Sequence, residues 1–222
     1  MGEWQSLHSA RGDVRAWVAR PEQAPRGAIV VVQEIFGVTA HIRDVTDRLA
    51  AAGFTAMAPA FFDVFEPGIE LDYDDAGLAR GRELVGKLGF DGALSIVGAA
   101  AQALREPGHR VGAIGFCWGG TIAYLANTRF GLSAVSYYGA RNVPFLDEPA
   151  RAPLMFHFGG KDKSIPAEDI EEHRRKKPEA QVFVYPDAGH AFNRDADLHV
   201  HEPASAALAW QRTLDFFHEH LR

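Results

Sequence analysis

Cys117 is the only cysteine of this 222-residue chain. It lies within Val111-Gly112-Ala113-Ile114-Gly115-Phe116-Cys117-Trp118-Gly119-Gly120-Thr121. An apolar run enters it, two glycines follow Trp118, and a helix-like stretch starts at once. This spacing predicts a sharp strand-to-helix elbow that exposes one reactive side chain. Serine is the usual nucleophile at such a turn; here it is a thiol, which must become a thiolate to attack carbon. Gly115 removes a side chain where the strand passes the turn, and Gly119 and Gly120 let the helix come close. A helix N-terminus there offers N–H groups and partial positive charge to a thiolate or an oxyanion.

Two further positions complete a nucleophilic set. Asp162 follows a short apolar run and two glycines, and His190 sits in Tyr185-Pro186-Asp187-Ala188-Gly189-His190-Ala191-Phe192. The order nucleophile, acid, histidine is the chain order of the α/β-hydrolase triad. The histidine would carry the proton, and the carboxylate would hold its ring. Asp187 competes for the acid role, but it shares a short loop with His190 that suits a turn; Asp169 falls inside a helix. Acyl transfer also needs oxyanion donors. The N–H of Trp118, next after the nucleophile, is one, and the N–H of Ile35, in the loop after the strand 28–33, is the other.

The elements that must position these groups alternate along the chain. Residues 7–9 and 14–19 form a hairpin turning at Arg11-Gly12-Asp13, with Val14, Ala16 and Val18 on one side. The continuous apolar run 28–33 suits a strand buried on both faces. Helix 42–52, strand 54–58, a long helix 76–104, strand 110–115 and helix 119–127 follow. Gly86, Gly89 and Gly92 predict a break near the middle of the long helix. Strands at 132–138 and 154–158, helix 166–177, strand 181–185 and helix 204–221 complete the chain. The pattern is α/β: a mostly parallel central sheet with helices on both faces, in one domain over residues 1–222. Ligands of such sheets bind beyond the carboxyl ends of the strands. Residues 33–37, Cys117, 159–162 and 187–190 leave those ends.

Composition excludes several classes. The net charge of −6 leaves no basic footprint for nucleic acid. The run Arg174-Arg175-Lys176-Lys177 reads as the solvated end of a helix. One cysteine forms no intramolecular disulfide. The N-terminus lacks the features of a signal peptide, and no apolar stretch approaches the ~18 residues of a membrane helix. These features predict a cytoplasmic protein with no membrane or nucleic-acid partner, a monomer with oligomers left open. His199 and His201 lack a third ligand nearby, and no phosphate or dinucleotide fingerprint is present, so no metal and no cofactor is expected.

The chain resembles the dienelactone hydrolase family, a branch of the α/β-hydrolase fold. The likeness rests on Gln33-Glu34-Ile35-Phe36-Gly37-Val38, Gly115-Phe116-Cys117-Trp118-Gly119-Gly120, Tyr137-Tyr138-Gly139, Gly159-Gly160-Lys161-Asp162 and Ala188-Gly189-His190-Ala191-Phe192. It spans nearly the whole length. The resemblance implies that Glu34 helps create the Cys117 thiolate, and that Arg80 and Arg194 grip a substrate carboxylate; Arg82 replaces Arg80 if the helix is rotated. It implies a Cys117-His190-Asp162 hydrolase of a lactone, enol-lactone or related small carboxylate-bearing ester. Leu84 and Lys87 stand where members of the family carry aromatic residues, and Pro59-Ala60 where they carry Pro-Asp. Phe61, Phe62 and Phe65 follow as pocket wall or core. These departures leave open a general carboxylesterase or thioesterase. A non-catalytic ligand-binding protein on a hydrolase fold is the alternative of another class.

Overall fold

The computed structural model describes residues 1–105 and 108–221. Their contacts group into two compact units, Met1–Gly112 with Leu221, and Ala113–His220. The strands form an eight-stranded, mostly parallel sheet flanked by helices, which is the α/β architecture expected.

In the first unit the strand order is β1-β2-β4-β3. Strand β1 (Glu3–Ser9) pairs antiparallel with β2 (Gly12–Ala19). Ser9 faces Gly12 in this ladder, so the turn is Ala10-Arg11, one residue earlier than the sequence suggests. The Ser9 hydroxyl donates to the Gly12 carbonyl at 2.7 Å, and Gly12 takes φ +115°, which glycine tolerates best. β1 also starts earlier than its apolar residues indicate. Trp4 meets Trp17 edge-on at 5.5 Å, a cross-strand pair that holds a half-exposed segment in the sheet.

β3 (Ala28–Val32) runs parallel to β4 (Thr55–Pro59), and β2 runs antiparallel to β4. Ile29, Val30, Val31 and Val32 are fully buried. Each contributes at most about 1.5–3 kcal/mol of hydrophobic stabilisation, which is why this run carries no polar alternation. Helix α1 (Ala40–Ala51) packs on β2, β3 and β4 through Ile42, Val45 and Leu49. Phe61 and Phe62 open a 3₁₀ turn and are buried; Phe65 is half-exposed beneath the Lys87 ammonium, 4.6 Å from its ring centre.

Helix α2 (Asp75–Ala103) is capped by the Asp74 side chain, which accepts from the Gly77 N–H at 2.7 Å. The break falls at Gly89, with φ 66° and ψ 171°. Leu84 and Leu88 bury the half before it; Leu94, Ile96, Val97, Ala100 and Ala101 bury the half after it. The expectation that no stretch approaches membrane-spanning length is corrected by this helix. Between Lys87 and Arg105, Asp91 is the one charged residue. By length and composition alone α2 could therefore cross a bilayer, although half of its most apolar window is buried within the protein.

The second unit holds β5 (Val111–Phe116), which begins at the end of the first, then β6 (Ser133–Tyr137), β7 (Leu154–Gly159) and β8 (Gln181–Tyr185), in that order. β6, β7 and β8 pair in parallel. Helix α3 (Trp118–Phe130) packs on β6 and is buried on nearly every side, so it carries no polar stripe. Its end is a left-handed Gly131. Helix α4 (Ala167–Lys176) carries the basic run at its C-terminal end, where Arg174, Arg175 and Lys176 pair with Glu171, Glu172 and Asp147. Helix α5 (Pro203–His220) packs on β6 and β7.

Candidate active site

The turn after β5 is built on backbone contacts that only glycine allows. Cys117 adopts φ 55° and ψ −118°, a left-handed conformation rare for a residue with a Cβ. A methyl at Gly115 would lie 1.8 Å from the Gly119 carbonyl oxygen, and one at Gly120 2.6 Å from that of Tyr137. The Cys117 N–H donates to the Tyr137 carbonyl at 3.0 Å, and the Gly120 N–H to the Cys117 carbonyl at 2.9 Å. The strain at Cys117 is thus held by both flanks. Its side chain is half-buried at the mouth of α3, whose first turn carries no acidic residue to neutralise the positive helix end. Trp118 is the first residue of that helix and is buried.

A second glycine device brings the acid and the histidine together. Methyls at Gly159 would lie 2.5 Å from the Gly189 carbonyl oxygen and 2.6 Å from that of Ala188. The loop after β8 therefore lies directly against the end of β7. Lys161 N–H donates to the Ala188 carbonyl at 2.8 Å and Gly160 N–H to that of Tyr185 at 2.7 Å. Across this seam the His190 Nδ1 donates to Asp162 Oδ2 at 2.7 Å, and the other carboxylate oxygen accepts the Ser164 N–H at 2.8 Å. The Asp162 side chain is fully buried.

Cys117 is the second hydrogen-bond partner of the His190 ring. Burial disfavours the charged ring. The hydrogen bonds to Asp162 and Cys117 and the charges of those two groups outweigh it, and the His190 pKa is pushed up to about 10. Asp187 is exposed and paired to Lys161 at 2.9 Å, and Asp169 lies in the first turn of α4, so of the three candidate acids it is Asp162 that binds the histidine.

The sequence gives no hint of what supports the histidine loop. Tyr138, at φ 40°, lies with its ring centre 5.2 Å from that of His190. Phe192 is fully buried and packs on Tyr137, Tyr138 and Tyr185. Tyr-Tyr-Gly and His-Ala-Phe are visible in the sequence, but nothing in their spacing shows that they meet. Below them His157, fully buried on β7, bonds Tyr185 Oη at 2.8 Å and Thr213 Oγ1 at 3.1 Å. Burial, with a smaller contribution from Arg212, pushes its pKa down to about 3.

Arg194 lies four residues after His190, is 6% exposed, and pairs with Asp197 at 3.3 Å. The remaining candidates belong to the first unit. Glu34 and Ile35 follow β3 and are buried, at 1% and 6% exposure. Arg80 and Arg82 are exposed on the first half of α2, where Arg80 pairs with Glu83 at 2.7 Å. The structure thus joins Cys117, Trp118, Asp162 and His190 in one place, with Arg194 on the same loop as the histidine. Among the described residues no group of three His, Cys, Asp or Glu side chains is arranged to hold a metal ion.

Known proteins resemble the chain over nearly its whole length. The dienelactone hydrolase family matches residues 14–221. A carboxymethylenebutenolidase of Pseudomonas putida is 36% identical over 219 residues, covering 90% of this chain and 89% of that protein. An Escherichia coli K12 protein assigned as a carboxymethylenebutenolidase is 38% identical over 237 residues, covering 97% of this chain and 86% of that one. A crystal structure from Klebsiella pneumoniae, assigned as a dienelactone hydrolase, superposes with a TM-score of 0.87 at 33% identity and covers 99% of both chains. With its elbow, its sheet and this likeness over nearly its whole length, the chain belongs to the dienelactone hydrolase family and is a hydrolase of the α/β-hydrolase fold.

Proposed function

We propose that this hydrolase cleaves a lactone, enol-lactone or related small ester bearing a carboxylate, with Cys117, His190 and Asp162 as its catalytic triad. The observation that carries the reading is the hydrogen-bonded series from Asp162 through His190 to Cys117 at a strained elbow. The sulfur, as thiolate opposite the His190 imidazolium, attacks the ester carbonyl carbon. A carbon–sulfur bond forms, and the carbonyl π pair moves to oxygen. The N–H groups of Trp118 and Ile35 are assigned to that oxyanion. Collapse breaks the carbon–oxygen bond, and the leaving oxygen takes the proton of His190. Water, deprotonated by His190, then attacks the thioester and releases the acid and the thiolate. Glu34, buried after β3, is assigned to help remove the thiol proton, and Arg80 and Arg194 to bind the substrate carboxylate.

The test is mass detection of an acyl group on Cys117 after a single turnover with lactones and aryl esters. Cys117→Ala is expected to abolish both adduct and turnover; full activity in that variant defeats the reading. One observation favours a second reading. Arg80 and Arg194 are each already paired with a carboxylate of the chain, Glu83 and Asp197. A general carboxylesterase or thioesterase needs neither arginine free. Equal turnover of charged and neutral esters, unaffected by Arg194→Ala, selects that alternative.

A further inference from the structure

One buried side chain of the first unit holds a single peptide bond in place. Gln33 is the residue after β3, and its side chain is wholly buried. Its Oε1 accepts the Phe61 N–H at 3.3 Å, and its Nε2 donates to the Glu34 carbonyl at 3.1 Å. The two contacts fix the amide orientation between them, because a backbone N–H can only donate and a carbonyl can only accept. The Glu34 carbonyl and the Ile35 N–H are opposite edges of one planar trans peptide. Holding the carbonyl therefore aims the N–H the other way.

The far side of Ile35 is also fixed. A methyl at Gly81 would lie 2.3 Å from the Ile35 carbonyl oxygen, so the first half of α2 rests directly on the next peptide. One peptide further, the Phe36 carbonyl accepts the Leu71 N–H at 2.8 Å. Gly37, at φ +93°, touches Ile69 backbone, where a methyl would meet the carbonyl oxygen at 2.2 Å. Of these contacts, the one made by a side chain to the Glu34–Ile35 peptide itself is that of Gln33.

We infer that Gln33 is a positioning residue: its amide locks the Glu34–Ile35 peptide so that the Ile35 N–H is preset for the oxyanion. This rests on the assignment of Ile35 as an oxyanion donor under the proposed function. A preset donor acts where charge develops in the transition state and little in the bound substrate. Loss of the lock should therefore lower kcat and leave KM almost unchanged.

The experiment compares wild type with Gln33→Met, which keeps the length and loses both hydrogen bonds. Gln33→Asn keeps polarity but is too short to reach both partners, and serves if the first variant does not fold. Three readouts are taken: ester kcat and KM, affinity for an aryl trifluoromethyl ketone, and the alkylation rate of Cys117 by iodoacetamide. The ketone adds the thiolate to its carbonyl carbon and leaves an oxyanion; iodoacetamide reacts at a saturated carbon and leaves none. The expected result is a 10- to 100-fold loss in kcat, with ketone affinity down by a similar factor. KM and alkylation are expected to stay within twofold.

Unchanged kcat and ketone affinity in a folded variant overturn the role of Gln33 while the proposed mechanism stands. Ester turnover and alkylation falling together also overturn it, since the damage then reaches the thiol. If the ketone forms no adduct on Cys117 of the wild-type protein, the thiol mechanism fails, and the inference with it.

Discussion

Replacing Asp162 by Asn keeps the shape of the seam between β7 and β8 and removes its charge. The His190 pKa stands at about 10 against an ordinary 6.5. At about 1.4 kcal/mol for each tenfold change in proton affinity, that is roughly 5 kcal/mol at most. Solvent screening at a ring 29% exposed trims it to a few kcal/mol. Burial acts against the charged ring, while Asp162 and Cys117 act for it. A hydrogen bond to a charged partner is worth about 1.5–3 kcal/mol, so the Asn variant should titrate about one to two pH units lower. Because the folded ring binds its proton more tightly than the unfolded one, the stabilisation is complete below pH 6.5. It is lost as pH rises through about 10. The variant should lose much of that alkaline dependence. Loss of the orienting carboxylate should also cost up to about 10⁴ in kcat. NMR titration of the His190 ring from pH 5 to 11, with ester kinetics on the same samples, measures both. A variant that titrates within half a pH unit of wild type would falsify the account of what holds this proton.

Two further outcomes test the scaffold. Gly115→Ala places a methyl against the Gly119 carbonyl oxygen, and a misfit of about 3 kcal/mol should lower the melting temperature by about 6–12 °C; calorimetry showing no change refutes the close approach. His157 is neutral in the folded protein because burial holds its pKa near 3. Its share of stability is full above pH 6.5 and should fall by about 2 kcal/mol between pH 7 and pH 5, as the unfolded ring gains a proton. Urea unfolding at both pH values should show a smaller acid loss in His157→Gln, and an equal loss places the sensitivity elsewhere.

Strand ends and turns were the legible part of the chain. The apolar run 28–33, the glycines around Cys117 and the loops bearing Asp162 and His190 each follow from local spacing. The α2 break was readable because three glycines punctuate one helical pattern, although the position that bends, Gly89, is set by which of them takes positive φ. The choice of Asp162 over Asp187 was arguable from loop length; in the structure Asp162 binds the His190 ring and Asp187 binds Lys161. What stayed hidden depends on contacts between distant segments. The close approach of Gly159 to Gly189, the aromatic support of the histidine loop, and the Gln33 clamp join residues whose separation carries no periodic signal. The starts of β1 and β2 were displaced because a tryptophan pair, and not an apolar alternation, holds that hairpin.

The bend at Gly89 divides more than the shape of α2. Its first half buries few residues and carries exposed Arg80, Arg82, Glu83 and Lys87; its second half packs the core. Exposed positions in the first half can therefore change charge or size while the second half keeps its packing. A helix split in this way confines tolerance to the solvent-facing side of residues 75–88: exchanges at its exposed positions should leave the melting temperature almost unmoved, and exchanges at the buried positions beyond the bend should lower it.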